Sequence, residues 1–244
     1  MRNRAWVLAV VGSKGGVGKS TTAISLAVEW HRRGLSVLAV DADPQGTLRI
    51  WYDVRRENVA DDERLHVVHL DSADQRRTSD EQKADLIRRV VPTLAEGFDL
   101  CLLDTPPSNE DVQLAAVSIA DQVVVPTGPH AADLWGIVPM LELVQRERAS
   151  RRRLVASVLR NKVKGLSVAS RDADEALGGA QLPLLEARLG NREDFGRATA
   201  AGLGVTTFCA WGLAAAEVRQ LASELEGASS GGIAVEKPQR RKRA

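Results

Sequence analysis

Near the start of the chain, Gly12-Ser13-Lys14-Gly15-Gly16-Val17-Gly18-Lys19-Ser20-Thr21 combines glycines, lysines and hydroxyls at a spacing suited to holding phosphate. Glycine lets backbone amides point inward and lets the chain approach anionic oxygens closely. The stretch follows an apolar run and opens a helix-period segment, the strand-loop-helix setting that a phosphate-binding loop requires. A helix starting at Lys19 adds the positive end of its dipole to the same place. In such a loop Lys19 reaches the β- and γ-phosphates of a nucleotide and the Ser20 hydroxyl ligates Mg²⁺. Gly15, Gly16, Val17, Gly18 and Thr21 complete the cradle. Two acidic stretches accompany it: Asp41-Ala42-Asp43-Pro44-Gln45-Gly46-Thr47 and Leu102-Leu103-Asp104-Thr105-Pro106-Pro107-Ser108. Carboxylates at the C-terminal ends of strands face the ligand crevice of an open α/β sheet, where they hold metal-bound water or orient an attacking water. Taken singly, each also reads as a helix cap or turn residue.

The elements that must position these groups are legible from apolar patterning. Continuous apolar runs at 5–11, 35–40 and 98–103 suit strands buried on both faces. A fourth run, 122–125, ends at Pro126, and a fifth, 154–159, ends near Asn161. Residues 65–70 offer one short further strand. Helix-period segments lie at 20–33, 81–95, 111–120, 132–148 and 214–225. This alternation predicts a doubly wound α/β domain, a mostly parallel sheet with helices on both faces, over residues 1–226. From 227 to 244 a Gly/Ser stretch leads into Glu236-Lys237-Pro238-Gln239-Arg240-Arg241-Lys242-Arg243, a flexible basic tail.

Composition narrows the class. The 244 residues are 44% apolar and 27% charged, enough for one large core. Five Trp, three Phe and one Tyr argue against an aromatic base-stacking platform. Cys101 and Cys209 supply neither a disulfide framework nor metal-ligand spacing, which fits a reduced, cytosolic setting. No apolar run nears the roughly 20 residues of a membrane span. Arg2, Arg4 and the apolar run after them imitate a secretory signal, but the run is short and leads straight into the glycine loop. The net charge of +1 announces no nucleic-acid partner by itself.

The loop departs from the usual G-x-x-x-x-G-K-S/T pattern: Ser13 stands at its first glycine and Lys14 precedes the glycine pair. Lys14 to Thr21 resembles the deviant Walker A loop of the ParA/MinD ATPases, a P-loop NTPase class, and the two acidic stretches match that family in the same order. The resemblance implies ATP and Mg²⁺ as cofactors and a nucleotide-sandwich homodimer, with Lys14 reaching the partner's phosphates and Lys19 its own. It assigns water positioning to Asp43, with Asp41 and Asp104 in or near the metal shell. Asn161, at a strand end where relatives contact the base, reads adenine, and a base-contacting loop is expected over 206–211. Residues 126–136 resemble a segment of the dimer face, although Trp135 reads equally well as core packing.

Within the family, the short ParA type fits best. The basic tail has no apolar face for MinD-like membrane binding, the cysteines do not suit a nitrogenase-type cluster, and Tyr52 alone is no kinase tyrosine cluster. A first strand near residue 6 leaves no room for an N-terminal helix-turn-helix domain. ParA proteins bind non-specific DNA as ATP dimers, and Arg192, Arg197, Arg151, Arg152 and Arg153 are the candidate phosphate contacts, giving salt-sensitive binding. The implied partner is a ParB-like or ribbon-helix-helix centromere-binding protein, and the implied location is the cytoplasm, on the nucleoid. A positioning ATPase for a protein cargo such as carboxysomes or chemoreceptor clusters is the alternative. A nucleotide-dependent scaffold without hydrolysis is disfavoured by the presence of Lys19, Ser20, Asp43 and Asp104.

Overall fold

The computed structural model describes residues 4–59, 63–71, 78–107, 109–151, 153–164 and 182–228. Arg152, Ser108 and most of the expected tail, from 229 onward, lie outside the described residues. Strand β1 (Trp6–Val10) dictates the architecture. All of it is buried, and its side chains alternate between two cores: Val7 and Ala9 enter one, Trp6, Leu8 and Val10 the other. A strand apolar on both faces needs helices on both faces.

The chain continues through α1 (Lys19–Arg32), β2 (Val37–Asp41), α2 (Thr47–Asn58), β3 (Leu65–His69), α3 (Asp80–Arg89) and α4 (Val91–Leu94). It then forms β4 (Leu100–Asp104), α5 (Glu110–Ile119), β5 (Gln122–Thr127), α6 (Ala131–Ser150), β6 (Val155–Val163) and β7 (Leu184–Gly190). The elements α7 (Glu193–Ala200), α8 (Val205–Phe208) and α9 (Leu213–Ala228) close the described chain. The sheet order is β3-β2-β4-β1-β5-β6-β7 and every pairing is parallel. One face is covered through Ile24 and Trp30 of α1, Trp51 of α2, Phe195 of α7 and Leu221 of α9. The other is covered through Ile87 of α3, Val112 of α5 and Val144 of α6. The rings of Trp6 and Trp30 meet edge to face at 5.6 Å, locking α1 onto β1.

The register matters most for function. Asp104 aligns with Val10 on one side and Asp41 on the other. The loops leaving β1, β2 and β4 therefore emerge together at the C-terminal edge, where an open α/β sheet has its ligand crevice.

Several details differ from expectation, each for a local reason. The helix expected over 81–95 is split into α3 and α4, because Pro92 has no N–H for the helical ladder. Strand β5 runs through Pro126 to Thr127, since its pairing with β1 stops at Val124 and no donor is needed beyond. Apolar periodicity does not foresee α2, β7, α7 or α8. In α2 the buried residues are only Leu48 and Trp51, too few for a strong pattern. Helix α9 begins one residue before the expected 214–225 and runs three residues past it, to Ala228. No helix among the described residues is long and apolar enough to cross a membrane.

Candidate functional site

The glycine loop folds as its composition demands. Gly16 and Gly18 have φ of 77° and 91°, a left-handed region that costs a side-chain-bearing residue. At Gly18 a Cβ would also collide with the Asn161 amide. Helix α1 begins with no side-chain cap and no acid in its first turn, so its unpaired amides are left for an anion. Lys19 is buried, 6% exposed, and donates to the Lys14 carbonyl at 2.9 Å. Burial holds its ammonium below the usual lysine range, with Asp104 and Asp43 pulling the other way. Gln113, buried on α5, donates to the carbonyls of Gly12 at 3.0 Å and Pro106 at 2.7 Å. It thus ties the glycine loop to the turn after β4, a role no motif announces.

A crevice of about 690 Å³ opens beside this loop. Gly15, Gly16, Gly18, Lys19, Ser20 and Thr21 line one side of it. Asp43, Asp80, Pro107 and Lys162 are among the residues across from them. Asp43 is held in place by its own loop: its Oδ1 accepts the Gln45 amide at 2.9 Å and its carbonyl accepts the Gly46 amide at 2.9 Å. Asp104 is fully buried, and among the described residues neither of its oxygens has a hydrogen-bond partner. Burial pushes its carboxyl up to about 8, reinforced by Asp41 and Asp43 and opposed by Ser20 and Lys19. A buried orphan carboxylate next to a serine hydroxyl is an incomplete oxygen cage, and it fits a hard divalent cation such as Mg²⁺. Among the described residues no group of three or more His, Cys, Asp or Glu converges as a metal cluster. Such a cation would therefore take its remaining ligands from phosphate and water, as Mg²⁺ prefers.

Asp41 does not share that position. Its oxygens accept the Asp43 amide at 3.1 Å and the Arg49 amide at 3.0 Å. Asp41, expected in or near the metal shell, holds the loop after β2 and the first turn of α2. Asn161 is also placed differently from the expectation that it reads adenine. Its Nδ2 donates to the Val17 carbonyl at 2.7 Å and its Oδ1 accepts the Lys162 amide at 2.8 Å. One end of the amide braces the glycine loop and the other holds the backbone of Lys162, which lines the crevice at a φ of 56°.

Lys14 sits at the rim and its ammonium pairs with Asp133 of α6 at 2.5 Å. Burial alone would raise the Asp133 carboxyl, but Lys14 and the His130 amide hold it below the usual range. Ser13 donates to the Gly136 carbonyl, so the start of the loop is tied to α6 at two points. Trp135 on the same helix is 76% exposed and is not core.

The expected DNA contacts divide. Arg151 donates to the Val117 and Ala120 carbonyls at 2.9 Å each, closing the end of α5. Arg192 forms a fork with both oxygens of Glu217, at 2.6 to 3.1 Å. These two guanidinium groups are engaged within the fold, whereas Arg153 and Arg197 are exposed. Arg197 lies over the Phe208 ring at 5.4 Å, which orients it while leaving it in solvent.

The profile of the CobQ/CobB/MinD/ParA nucleotide binding domain matches residues 8–205. A carboxysome distribution protein A from Halothiobacillus neapolitanus is 27% identical over 225 residues, 91% of this chain and 97% of that one. The chromosome-partitioning ATPase Soj of Thermus thermophilus is 37% identical over 166 residues, 61% of this chain and 65% of that one. An ATP complex of a McdA variant from Cyanothece superposes with a TM-score of 0.70 at 20% identity, covering 93% and 95% of the two chains. The chain belongs to the CobQ/CobB/MinD/ParA nucleotide-binding family.

Proposed function

We propose that this family member is a Mg²⁺-dependent ATPase of the ParA type, whose ATP-bound homodimer binds DNA without sequence preference. The observation that carries the reading is the meeting of Lys19, Ser20 and Asp43 at one crevice below an uncapped helix N-terminus, with the buried, unpartnered Asp104 carboxylate within electrostatic reach of all three.

The amides of residues 15–21 and the start of α1 grip the phosphates, and the buried Lys19 neutralises the β- and γ-phosphate charge. Ser20 and Asp104 would hold Mg²⁺, which screens developing charge on the transferred phosphoryl group. Asp43 orients the attacking water across the crevice from Lys19. Lys14 is supported as a trans residue by its partial exposure and by its ammonium, which pairs with Asp133 of α6 and not with the crevice. Its pair with Asp133 must open before it reaches a second protomer's phosphates. Dimerisation then doubles the exposed basic side chains available to DNA phosphates, Arg153 and Arg197 among them, and so holds the chain on the nucleoid in the cytoplasm. Hydrolysis, stimulated by a ParB-like or ribbon-helix-helix partner, releases it and so segregates plasmid or chromosomal DNA.

A second reading, positioning of a protein cargo, is favoured by the near full-length match to a carboxysome distribution protein, against the partial match to Soj. Both readings share the switch. The test is the Asp43→Ala variant, followed for phosphate release and for size in solution with ATP. Loss of turnover with an ATP dimer retained supports the mechanism; undiminished turnover removes Asp43 from it.

A further inference from the structure

Strand β3 ends in His69, and its register with β2 sets that residue beside Asp41. The Nε2 atom of His69 lies 3.1 Å from the backbone carbonyl oxygen of Asp43. That oxygen also accepts the Gly46 amide at 2.9 Å, and a carbonyl has lone pairs for both. Because the carbonyl only accepts, Nε2 carries the proton, a tautomer assigned from the network. The other hydrogen bonds of Asp43, from its amide to Asp41 and from Gln45 to its Oδ1, shape the loop internally. The His69 contact fastens that loop to the neighbouring strand.

Beside the same ring nitrogen stands a largely buried ion pair. Asp71 Oδ2 lies 3.7 Å from the same Nε2. The other oxygen, Oδ1, accepts the Lys83 ammonium at 2.8 Å and the Thr78 amide at 3.2 Å. Lys83, on α3, is 1% exposed. Desolvating such a pair offsets much of its attraction, so stability is a weak explanation for its presence. What the pair does is fix Asp71, and with it the electrostatic seat of the His69 ring. The first turn of the same helix carries Asp80, which lines the crevice.

We propose that His69, backed by the Asp71–Lys83 pair, is a positioning residue that holds the Asp43 peptide so that its carboxylate orients the attacking water. The inference rests on the reading of Asp43 as the water-orienting group. Small errors in the placement of a reacting partner cost rate, while the grip on ATP belongs to the glycine loop on another strand. Loss of His69 therefore lowers turnover and leaves nucleotide affinity alone.

The test measures steady-state ATP hydrolysis by the full chain for wild type, Asp43→Ala, His69→Leu, His69→Gln and Asp71→Asn. Melting temperatures and affinity for a fluorescent ATP analogue accompany it. Leu removes the donor at similar bulk, whereas Gln returns an N–H to the same region. His69→Leu is expected to lower kcat about three- to tenfold, the scale of one lost hydrogen bond, with KM for ATP unchanged. His69→Gln recovers most of that loss. Asp71→Asn shows a smaller loss of the same kind and decides the matter if His69→Leu does not fold. Unchanged kcat in His69→Leu, a raised KM in its place, or a Gln variant as slow as the Leu variant overturns the proposal. If Asp43→Ala is inactive while His69→Leu is normal, this inference falls alone. If Asp43→Ala turns over normally, it falls together with the reading beneath it.

Discussion

The ends of β2 and β4 carry the same residue at paired register positions, Asp41 and Asp104, both without solvent exposure. Their fates diverge because the chain leaves the two strands differently. After β2 it turns back through Gly46, at a φ of 63°, and presents the amides of Asp43 and Arg49 to the Asp41 carboxylate. After β4 it leaves through Pro106 and Pro107, which have no N–H to present, and both Asp104 oxygens stay unpartnered among the described residues. One carboxylate is saturated by backbone amides and the other receives none. A buried acid is thus assigned by the donors around it, and proline is a way of withholding donors.

Substitutions at the two positions should separate these roles. Asp104→Asn is expected to lower ATP turnover about 100-fold or more, the scale of losing several kcal/mol of metal-borne stabilisation. Its folding stability in chelator should stay within about 0.5 kcal/mol of wild type near pH 3, where the carboxyl is neutral in both the native and the unfolded chain. Asp41→Ala should do the reverse, losing about 1–2 kcal/mol of stability as a helix-capping acceptor disappears, with a far smaller loss of rate. Equal effects in denaturation and phosphate-release assays would erase the distinction.

The same pair makes a pH prediction. Asp104 is raised from an ordinary 3.8 to about 8, so in the absence of metal the native state keeps its proton longer than the unfolded chain. Its contribution to stability therefore falls as pH rises through that window. Relative to Asp104→Asn, chelated wild type should lose stability steadily from pH 5 to 8 in urea titrations. A constant gap would mean that the carboxylate has partners after all.

The arginines repeat the contrast on the surface. Arg197→Ala should reduce the salt slope of DNA binding by about one unit and leave the melting temperature in place. Arg192→Ala should lower the melting temperature by unpairing the partly buried Glu217, with a weaker effect on DNA. The smallest effect is expected at the rim. Asp133→Asn frees Lys14 from a half-exposed pair worth up to about 1 kcal/mol, enough to favour the ATP dimer by a few-fold. Lys14→Gln should bind nucleotide as a monomer. Analytical ultracentrifugation with ATP distinguishes the two.

How much of this was legible in the residues depends on the same physics. The glycine loop and the strand-end acids announced themselves because their chemistry is local: φ above zero, uncapped amides, a carboxylate after an apolar strand. The strands buried on both faces were equally plain. The contacts of Asn161 with Val17 and of Arg192 with Glu217 were not legible, because composition does not pair residues so distant in the chain. Gln113 and His69 carry no motif, and only the parallel register brings His69 to the Asp43 loop. Helix α2 escaped notice because it leans on Trp51 and Leu48 amid charged neighbours.

The central claim is a nucleotide-switched hold on DNA, and its most direct test is binding of the full chain to a non-specific duplex. Affinity is measured with ATP, with ADP and without nucleotide, across a salt series. The account predicts binding with ATP alone, weakening steeply as salt rises. Binding that ignores the nucleotide, or none in any state, would contradict it.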